Sequence, residues 1–380
     1  MSIANRQPTT KYDLLLKGGT VIDAAQDLNA ARDVAIADGV IAAVESDIPE
    51  RAAIQTISVK DRYVTPGLID IHTHVYYGVT TWGIRADAVC PTAGTTTVVD
   101  AGSPSWVTFP GFREFIAEPA QTNILTYIHI SGIGLVYGPI GEMIDIAYAA
   151  PERVADTLQQ HRDITVGVKV RQGKMQVGDN GVEPLKLAVE AAERAETSVM
   201  CHIGAGVPLP NILRHLRPGD VITHCFQGNG DNIIDEKGRI IPEVWKARED
   251  GIIFDVGHGA GSFHYEVAQR AMEQGFISDV ISTDLHTGNI NGPVYDLPTT
   301  LSKLIHLGLP LADVIEKATF SAAKAIQREG QLGNLKVGTV ADVAVFDVIE
   351  GQFEYFDSHG TKFIGNKKLK TELTIRAGKI

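Results

Sequence analysis

The stretch LIDIHTHV (residues 68–75) decides the fold, because it is an apolar run of strand length that ends in two histidines. Seven further runs of the same kind follow, most of them trailed by a glycine-bearing loop and a helical stretch. The eight runs are LIDIHTHV (68–75), TTTVVDAG (95–102), NILTYIHI (123–130), ITVGVKVR (164–171), SVMCHIG (198–204), DVITHCF (220–226), GIIFDVGHG (251–259) and DVISTDLH (279–286). Eight strand–helix units over about 260 residues predict a (β/α)8 TIM-type barrel, an α/β fold.

The stretches between the runs support this architecture. PERVADTLQQH (151–161) and EPLKLAVEAAERAE (183–196) have the apolar spacing of amphipathic helices. The runs themselves are apolar on both faces, as expected for strands between a barrel interior and a ring of helices. An open doubly wound sheet is the alternative, but it would normally bring a glycine-rich phosphate loop, and the sequence contains neither GxGxxG nor GxxxxGK[ST].

The two flanks of the predicted barrel differ from it in pattern. Residues 12–65 contain short alternating runs broken by Gly-Gly and Asp-Gly turns, which are typical of β-hairpins, and GTVADVAVFDV near the other end resumes this pattern. We therefore predict a small β-sandwich domain built from both termini, with residues 1–65 plus 330–380, and a (β/α)8 barrel at 66–329.

Composition excludes several classes of protein. The 380 residues carry 34 Lys plus Arg against 46 Asp plus Glu, a net charge of -12, which argues against nucleic-acid binding. No apolar run approaches the roughly 18 to 20 residues of a membrane span, and the first residues lack the apolar core of a signal peptide. Three cysteines without CxxC spacing indicate neither disulfides nor a cysteine-zinc site. We expect a cytoplasmic protein with no membrane partner.

Polar residues stand near the carboxyl ends of five predicted strands, the end at which barrel active sites are built. These residues are His72, His74, Lys169, His202, His224 and Asp284. A lone strand histidine is usually a satisfied core residue, but buried polar groups need partners, and packing does not explain so many at one end. Imidazole and carboxylate ligands suit zinc best, and the set is large enough for two divalent ions sharing a hydroxide.

With these motifs in place, the sequence resembles the amidohydrolase superfamily, and within it the dihydroorotase-like and deacetylase-like branches with two metals. The resemblance rests on five stretches along nearly the whole chain. They are KGGTVID, VTPGLIDIHTH, GTTTVVDAG, ISTD and LGNLKVGTVADVAVFD. The order, spacing and flanking pattern of these motifs make the set specific.

The resemblance implies a role for each candidate ligand. His72 and His74 would bind the first metal with Asp284, and His202 and His224 the second. Lys169 would be carboxylated on Nζ to a carbamate that bridges both ions. Asp284 would also act as general base and acid, which makes the chain an amide or ester hydrolase, such as a deacetylase or deacylase. A cyclic amide hydrolase of the dihydroorotase type is the alternative.

One position departs from that alternative. Dihydroorotases read HxHxR on the first strand, and here Tyr76 stands at the arginine's place. Arg171 lies two residues after Lys169 and hence on the same side of the strand, so it is a candidate clamp for a substrate carboxylate, or else a structural ion pair with a barrel acid. Tyr137 and His286 are further candidates for substrate contact, because they follow strands at the active-site end.

Two other classes of function stay open at this point. Lys169 could be the Schiff-base lysine of an aldolase, although this leaves the histidines unexplained. The chain could also be a non-catalytic interaction protein on the same fold, although no expected ligand is missing. The expected partner is a small-molecule substrate, and a homo-oligomer is compatible with the sequence.

Overall fold

The computed structural model describes residues 10–380, so the first nine residues of the predicted β domain lie outside the described part. The strands are β1 Tyr12–Asp23, β2 Leu28–Ala37, β3 Val40–Glu45, β4 Ala53–Ser58, β5 Tyr63–Pro66, β6 Leu68–Thr73, β7 Thr95–Ser105, β8 Asn123–His129, β9 Thr165–Gln172, β10 Ser198–Ile203, β11 Val221–Thr223, β12 Ile253–Asp255, β13 Val343–Phe356 and β14 Lys362–Ile375. The helices are α1 Phe109–Phe112, α2 Pro151–Gln160, α3 Lys174–Val177, α4 Glu183–Arg194, α5 Leu209–Leu213, α6 Pro242–Glu249, α7 Tyr265–Glu273, α8 Leu297–His306, α9 Leu311–Lys317 and α10 Phe320–Ala325.

Strands β6 to β12 form a parallel sheet in which neighbours in sequence are neighbours in space. The sheet curls until its two edges face one another. The segment 280–285 fills the gap, with a parallel bridge from Val280 to Asp255 on one side and from Leu285 to Thr73 on the other. The ring is therefore a TIM-type barrel, and it confirms that part of the sequence prediction.

The predicted eighth strand, 279–286, is wrong as a regular strand, and the sixth and seventh runs form strands of only three residues each. The reason is local backbone geometry. Left-handed φ angles occur at His224 (72°), Gly257 (46°) and Asp284 (50°), and such residues cannot continue a β ladder. Both predicted helices are confirmed, as α2 and α4.

The valines of β9 pack into two apolar cores, and the ladder between β8 and β9 shifts its register at Val166. Val168 and Val170 of β9 belong to the apolar core that surrounds the barrel on its outer face. Val166 packs with Met200 in a second core, which also takes in buried alanines of α10. Lys169, between the two outward valines, therefore points into the barrel, as period-two alternation requires.

A second sheet joins the two ends of the described chain. Its strand order is β14-β13-β5-β1-β2-β3, with β4 pairing with β1. Strands β13 and β14 form a long antiparallel hairpin that meets the rest through β5. This arrangement agrees with a β region built from both termini, while its description as a separate sandwich and the domain boundaries stay a prediction. Among residues 10–380, no helix is long and apolar enough to cross a membrane.

Candidate metal centre

Two histidines and one carboxylate meet at the carboxyl end of the barrel. The Nε2 atoms of His72 and His74 lie 3.4 Å and 3.1 Å from Oδ1 of Asp284. The ligand atoms of these three residues fall within 4.8 Å of one another, close enough to hold one ion. The structure thus brings together the first-metal group that the sequence predicts.

The other ring nitrogens of the histidines are held by neighbours. Nδ1 of His72 lies 2.8 Å from Oγ1 of Thr223, and that hydroxyl donates its only hydrogen to Asp255 (2.7 Å). Thr223 must therefore accept from Nδ1–H, which leaves the lone pair of His72 on Nε2. Nδ1 of His74 is likewise 2.9 Å from the Ser103 hydroxyl. Such contacts orient imidazole ligands toward a metal.

His224 gives the clearest indication of a metal-ligand role. Its Nδ1 lies 2.6 Å from the Gly257 carbonyl oxygen, which can only accept, so Nδ1 carries the proton. Its Nε2 is buried and has no hydrogen-bond partner within the described residues. Burial lowers the pKa of His224 to about 4, so the ring is neutral and Nε2 is a bare lone pair. A buried lone pair without a donor is what a metal ion would satisfy.

His202 lies next to His224 and completes the set of four histidines. Their ring centroids are 4.4 Å apart, and those of His72 and His224 are 5.0 Å apart. Burial, first of all, keeps the pKa of His202 well below its usual value. The second predicted pair of ligands is therefore neutral and adjacent to the first group.

Lys169 is fully buried among these rings. Its Nζ lies 3.4 Å from Nε2 of His72, and burial lowers its pKa to about 8 against the opposing effect of Asp284. The backbone of β7 must pass close to this side chain, since a Cβ on Gly102 would lie 2.4 Å from the Cβ of Lys169. Gly102 also has a φ of 79°, so glycine is needed there for two reasons.

Asp284 occupies a strained but well-supported position. Its carbonyl oxygen accepts from Nδ2 of Asn289 (2.7 Å), and the preceding Thr283 donates to the buried Asp70. Burial alone would raise the pKa of Asp284, but His72 and His74 outweigh it and hold the pKa well below its usual value. The carboxylate is therefore ionised and fixed.

These residues line a cavity of about 260 Å³. The lining residues are His72, His74, Trp82, Lys169, Arg171, His202, Ala260, Gly261, Asp284 and His286. Arg171 and His286 are thus placed at the cavity. Tyr137 is not, because it lies in the loop after β8 with 53% of its surface exposed. The expectation that Tyr137 contacts substrate finds no support in this geometry.

Arg171 forms a buried ion pair, as one of its two interpretations expected. Its Nε donates to Oε1 of Glu142 (2.7 Å) and its Nη2 to Oε2 (2.6 Å). Burial would raise the pKa of Glu142, but Arg171 and then His129 lower it to about 2. The acid comes from a loop rather than a barrel strand, and no sequence motif marked it.

Tyr76, at the place of the dihydroorotase arginine, faces away from the cavity. Its ring packs edge-on against Phe112 at 5.1 Å, and its hydroxyl donates to the Thr108 carbonyl (2.8 Å). No cation therefore replaces the missing arginine at this position. Cys201 and Cys225, each next to a candidate ligand in sequence, lie in the outer apolar core.

Comparison with known proteins places the chain in a family. Residues 261–380 match the model of the Amidohydrolase family. The chain is similar to a deacetylase of Agrobacterium fabrum, with 37% identity over 85% of this chain and 80% of the relative. A deacetylase of Enterococcus faecalis is 34% identical over 97% of this chain and 99% of the relative.

Two solved structures agree. One, described as an adenine deaminase, superposes with a TM-score of 0.91 at 34% identity, covering 97% of this chain and 99% of that one. Another, described as a dihydroorotase, gives 0.87 at 33% identity and 96% coverage of both chains. The chain belongs to the amidohydrolase family and is an enzyme of the hydrolase class.

Proposed function

We propose that this chain is a metal-dependent deacetylase that removes an acetyl or similar acyl group from a small molecule. The observation that carries the proposal is the cluster of His72, His74, Lys169 and Asp284 at the cavity, with the unpartnered Nε2 of His224 beside it. The deacetylases to which the chain is similar over most of its length support the choice of reaction.

Six residues would hold two divalent ions, for which we propose zinc, since nitrogen and carboxylate donors suit it. His72, His74 and Asp284 would bind one ion, and His202 and His224 the other. Lys169, carboxylated on Nζ, would bridge them, because a carbamate offers two anionic oxygens where an ammonium offers none. When bound, such ions supply Lewis acidity that lowers the pKa of water and polarises an acyl carbonyl.

Asp284 would act as the general base and then as the general acid. Its ionised carboxylate lines the cavity and lies within 3.4 Å of two ligand rings, so it can take a proton from the attacking water and deliver it to the leaving nitrogen or oxygen. His286 stands beside it as a hydrogen-bond donor. Its Nδ1 accepts from the Gly288 N–H (3.0 Å), and burial lowers its pKa, so the neutral ring carries its hydrogen on Nε2.

Arg171 is the proposed contact for a substrate carboxylate. Within residues 10–380 its Nε and Nη2 are taken by Glu142 and the Gly138 carbonyl, which leaves Nη1 as the free donor. The guanidinium carbon also lies 5.1 Å from the centre of the Trp82 ring, another wall of the cavity. A substrate that carries both a carboxylate and an acylated amine or hydroxyl would use these walls together.

The alternatives fit the geometry less well. Ring opening of the dihydroorotase type would lack the arginine that Tyr76 replaces. A Schiff-base lysine would need free access to Nζ of Lys169, but this atom lies 3.4 Å from a histidine nitrogen. This alternative would also leave the unpartnered Nε2 of His224 without a role. A non-catalytic role does not explain why all six ligand positions are filled.

Some accompanying features are part of the same proposal. We expect a cytoplasmic enzyme and a substrate small enough for the cavity. We also propose that the terminal strands form a β-sandwich domain, with residues 1–65 and 330–380 outside the barrel at 66–329.

The test is a substrate screen with enzyme reconstituted with zinc. N-acetyl amino acids, acetylated 2-hydroxy acids, dihydroorotate and adenine would be offered at one concentration, and release of acetate, ring opening and release of ammonia would be measured. We expect acetate release, and only from metal-loaded enzyme. Ring opening of dihydroorotate or ammonia release from adenine without any acetate release would overturn the proposal.

The carboxylate contact is tested in the same assay. Arg171→Met alone would leave the buried Glu142 carboxylate without its cationic partner. The double variant Arg171→Met with Glu142→Gln is therefore the probe, and Glu142→Gln alone is its control. We expect the double variant to raise KM about tenfold for an N-acetyl amino acid and to leave KM unchanged for the matching N-acetyl amino amide. Equal changes for both compounds would remove Arg171 from substrate binding.

A further inference from the structure

One wall of the cavity is a loop whose backbone touches the site. This wall segment comprises residues 258–264 (HGAGSFH), and its Ala260 and Gly261 line the cavity. A Cβ added to Gly259 would lie 2.7 Å from Oδ2 of Asp284, so the backbone there is in near contact with the carboxylate. The Gly259 N–H donates to the Thr283 carbonyl (2.9 Å), which fixes the segment's start.

The far side of the wall segment is held by the turn between β13 and β14. The Ser358 N–H donates to the Phe263 carbonyl (2.9 Å), and the Phe263 N–H donates to the Ser358 hydroxyl (3.2 Å). That hydroxyl lies 2.8 Å from the Gly259 carbonyl oxygen and 3.1 Å from that of His258, so it donates to the segment as well. One serine thus contacts both ends of the loop.

A buried lysine supports the same loop from beneath. Lys303 of α8 is fully buried, and its ammonium has three acceptors for three hydrogens. They are Nε2 of His258 (2.8 Å), the Pro293 carbonyl (2.7 Å) and the Phe356 carbonyl, at the end of β13 (2.9 Å). Since Nε2 of His258 accepts, its Nδ1 carries the proton and can donate to Gly259 O at 3.0 Å.

We propose that Ser358 and Lys303 are positioning residues that lock the wall segment against Asp284 and so set the shape of the cavity for substrate. The terminal hairpin would then take part in substrate selection without contacting substrate. Neither residue is a candidate ligand, and neither lines the cavity. The kinetic part of this inference rests on the proposed function, whereas the structural part does not.

The experiment compares Ser358→Ala with Ser358→Thr, which keeps the hydroxyl, and with Lys362→Ala. Lys362 is an exposed residue of the same hairpin whose side chain pairs with Glu354, so its loss controls for general effects on the hairpin. Lys303→Met is a second probe of the lock. Peptide-level hydrogen exchange over residues 257–265, zinc content, and KM and kcat for N-acetylalanine or the best acetylated compound of the screen would be measured.

For Ser358→Ala we expect about tenfold faster exchange over 257–265, since the amide hydrogen of Phe263 loses its acceptor. We also expect about a fivefold higher KM, kcat within about twofold, and unchanged zinc content, because one net hydrogen bond is lost. Ser358→Thr should retain most of both properties, and Lys362→Ala should match the wild type.

Three results would overturn the inference. They are unchanged exchange in Ser358→Ala, faster exchange with an unchanged KM, and a fall in zinc content that accounts for the kinetic change. If no acetylated compound is turned over, the proposed function fails, and the exchange data alone decide whether the hairpin locks the loop. Lys303→Met provides the same decision if Ser358→Ala does not fold.

Discussion

The two halves of the barrel present their candidate ligands in different ways. In the first half, β6 to β10 are strands of six or more residues, and Lys169 and His202 lie on regularly paired extended backbone. In the second half, β11 and β12 have three residues each and segment 280–285 forms only single bridges. There His224 and Asp284 have left-handed backbones, with φ angles of 72° and 50°.

The difference separates a half with regular strand backbone from a half in which two candidate ligands have strained backbone. A left-handed non-glycine residue costs roughly 1 kcal/mol or more, and it persists only where the surroundings compensate. Here the Gly257 carbonyl fixes the ring of His224, and Asn289 fixes the backbone of Asp284. The strained half therefore supplies the proposed general base, Asp284, and with His224 two of the six proposed ligands, while the regular half supplies the other four.

The largest effect expected from this comparison is that of Asp284→Asn, in the strained half. The amide has the same shape but cannot take a proton, so kcat should fall about a thousandfold or more while at least one zinc ion per chain is retained. Stopped assays with parallel metal analysis would measure this. Asp279→Asn, at the start of the same segment, is the matched control and should keep kcat within about twofold. A loss below about tenfold in Asp284→Asn would end its role as base.

In the regular half, Lys169→Ala should lower the zinc content, and the loss of zinc should in turn lower the reaction rate. Without the proposed bridge, zinc content should drop below one ion per chain and kcat/KM should fall about a hundredfold. Added formate or acetate should restore part of the activity by supplying a carboxylate in place of the carbamate. Val168→Ala, the outward neighbour on β9, controls for damage to the strand. Zinc content and rate that stay at wild-type levels would contradict the assignment of Lys169.

The smallest effect concerns a contact that connects the halves. Thr223 ends β11 in the second half, yet its hydroxyl orients His72 in the first. Thr223→Val keeps the shape but removes the acceptor for Nδ1–H, so zinc affinity should fall about tenfold with little change in kcat of the saturated enzyme. Competition with a chelator would measure it. Thr165→Val removes a hydroxyl that donates to the His161 carbonyl oxygen, away from the site. This variant should bind zinc normally. Equal affinities in both variants would mean that the two halves act independently.

The sequence predicts the regular half well and the strained half less well. Period-two alternation places Lys169 and His202 inside because β9 and β10 pair without a register shift through these two residues, and the outward Cys201 follows from the same rule. Alternation does not indicate that the run 279–286 is not a regular strand. The φ angle of Asp284 depends on contacts with Asn289 and Asp70, which lie outside this run.

The residues that sequence reasoning missed share one property. Glu142, Ser103, Thr223 and Ser358 act on a site residue or on the cavity wall from a different element of the chain. Nothing in the local pattern around Glu142 or Ser358 marks them, because their roles arise only when loops pack together. Arg171 illustrates the point, since its spacing from Lys169 predicted its side of the strand but not its partner.

The closure of the barrel determines when the metal centre can form during synthesis and folding. The hydrogen bond between Thr283 and Asp70 joins residues 213 positions apart, and the Leu285 bridge to Thr73 lies on the same seam. During synthesis, His72 and His74 therefore leave the ribosome long before Asp284, the carboxylate that completes their group. Contacts of such long range carry a loop-closure cost that slows folding. A zinc ion offered to the nascent chain would find only part of its first coordination group, so the complete centre can assemble only after the seam has closed.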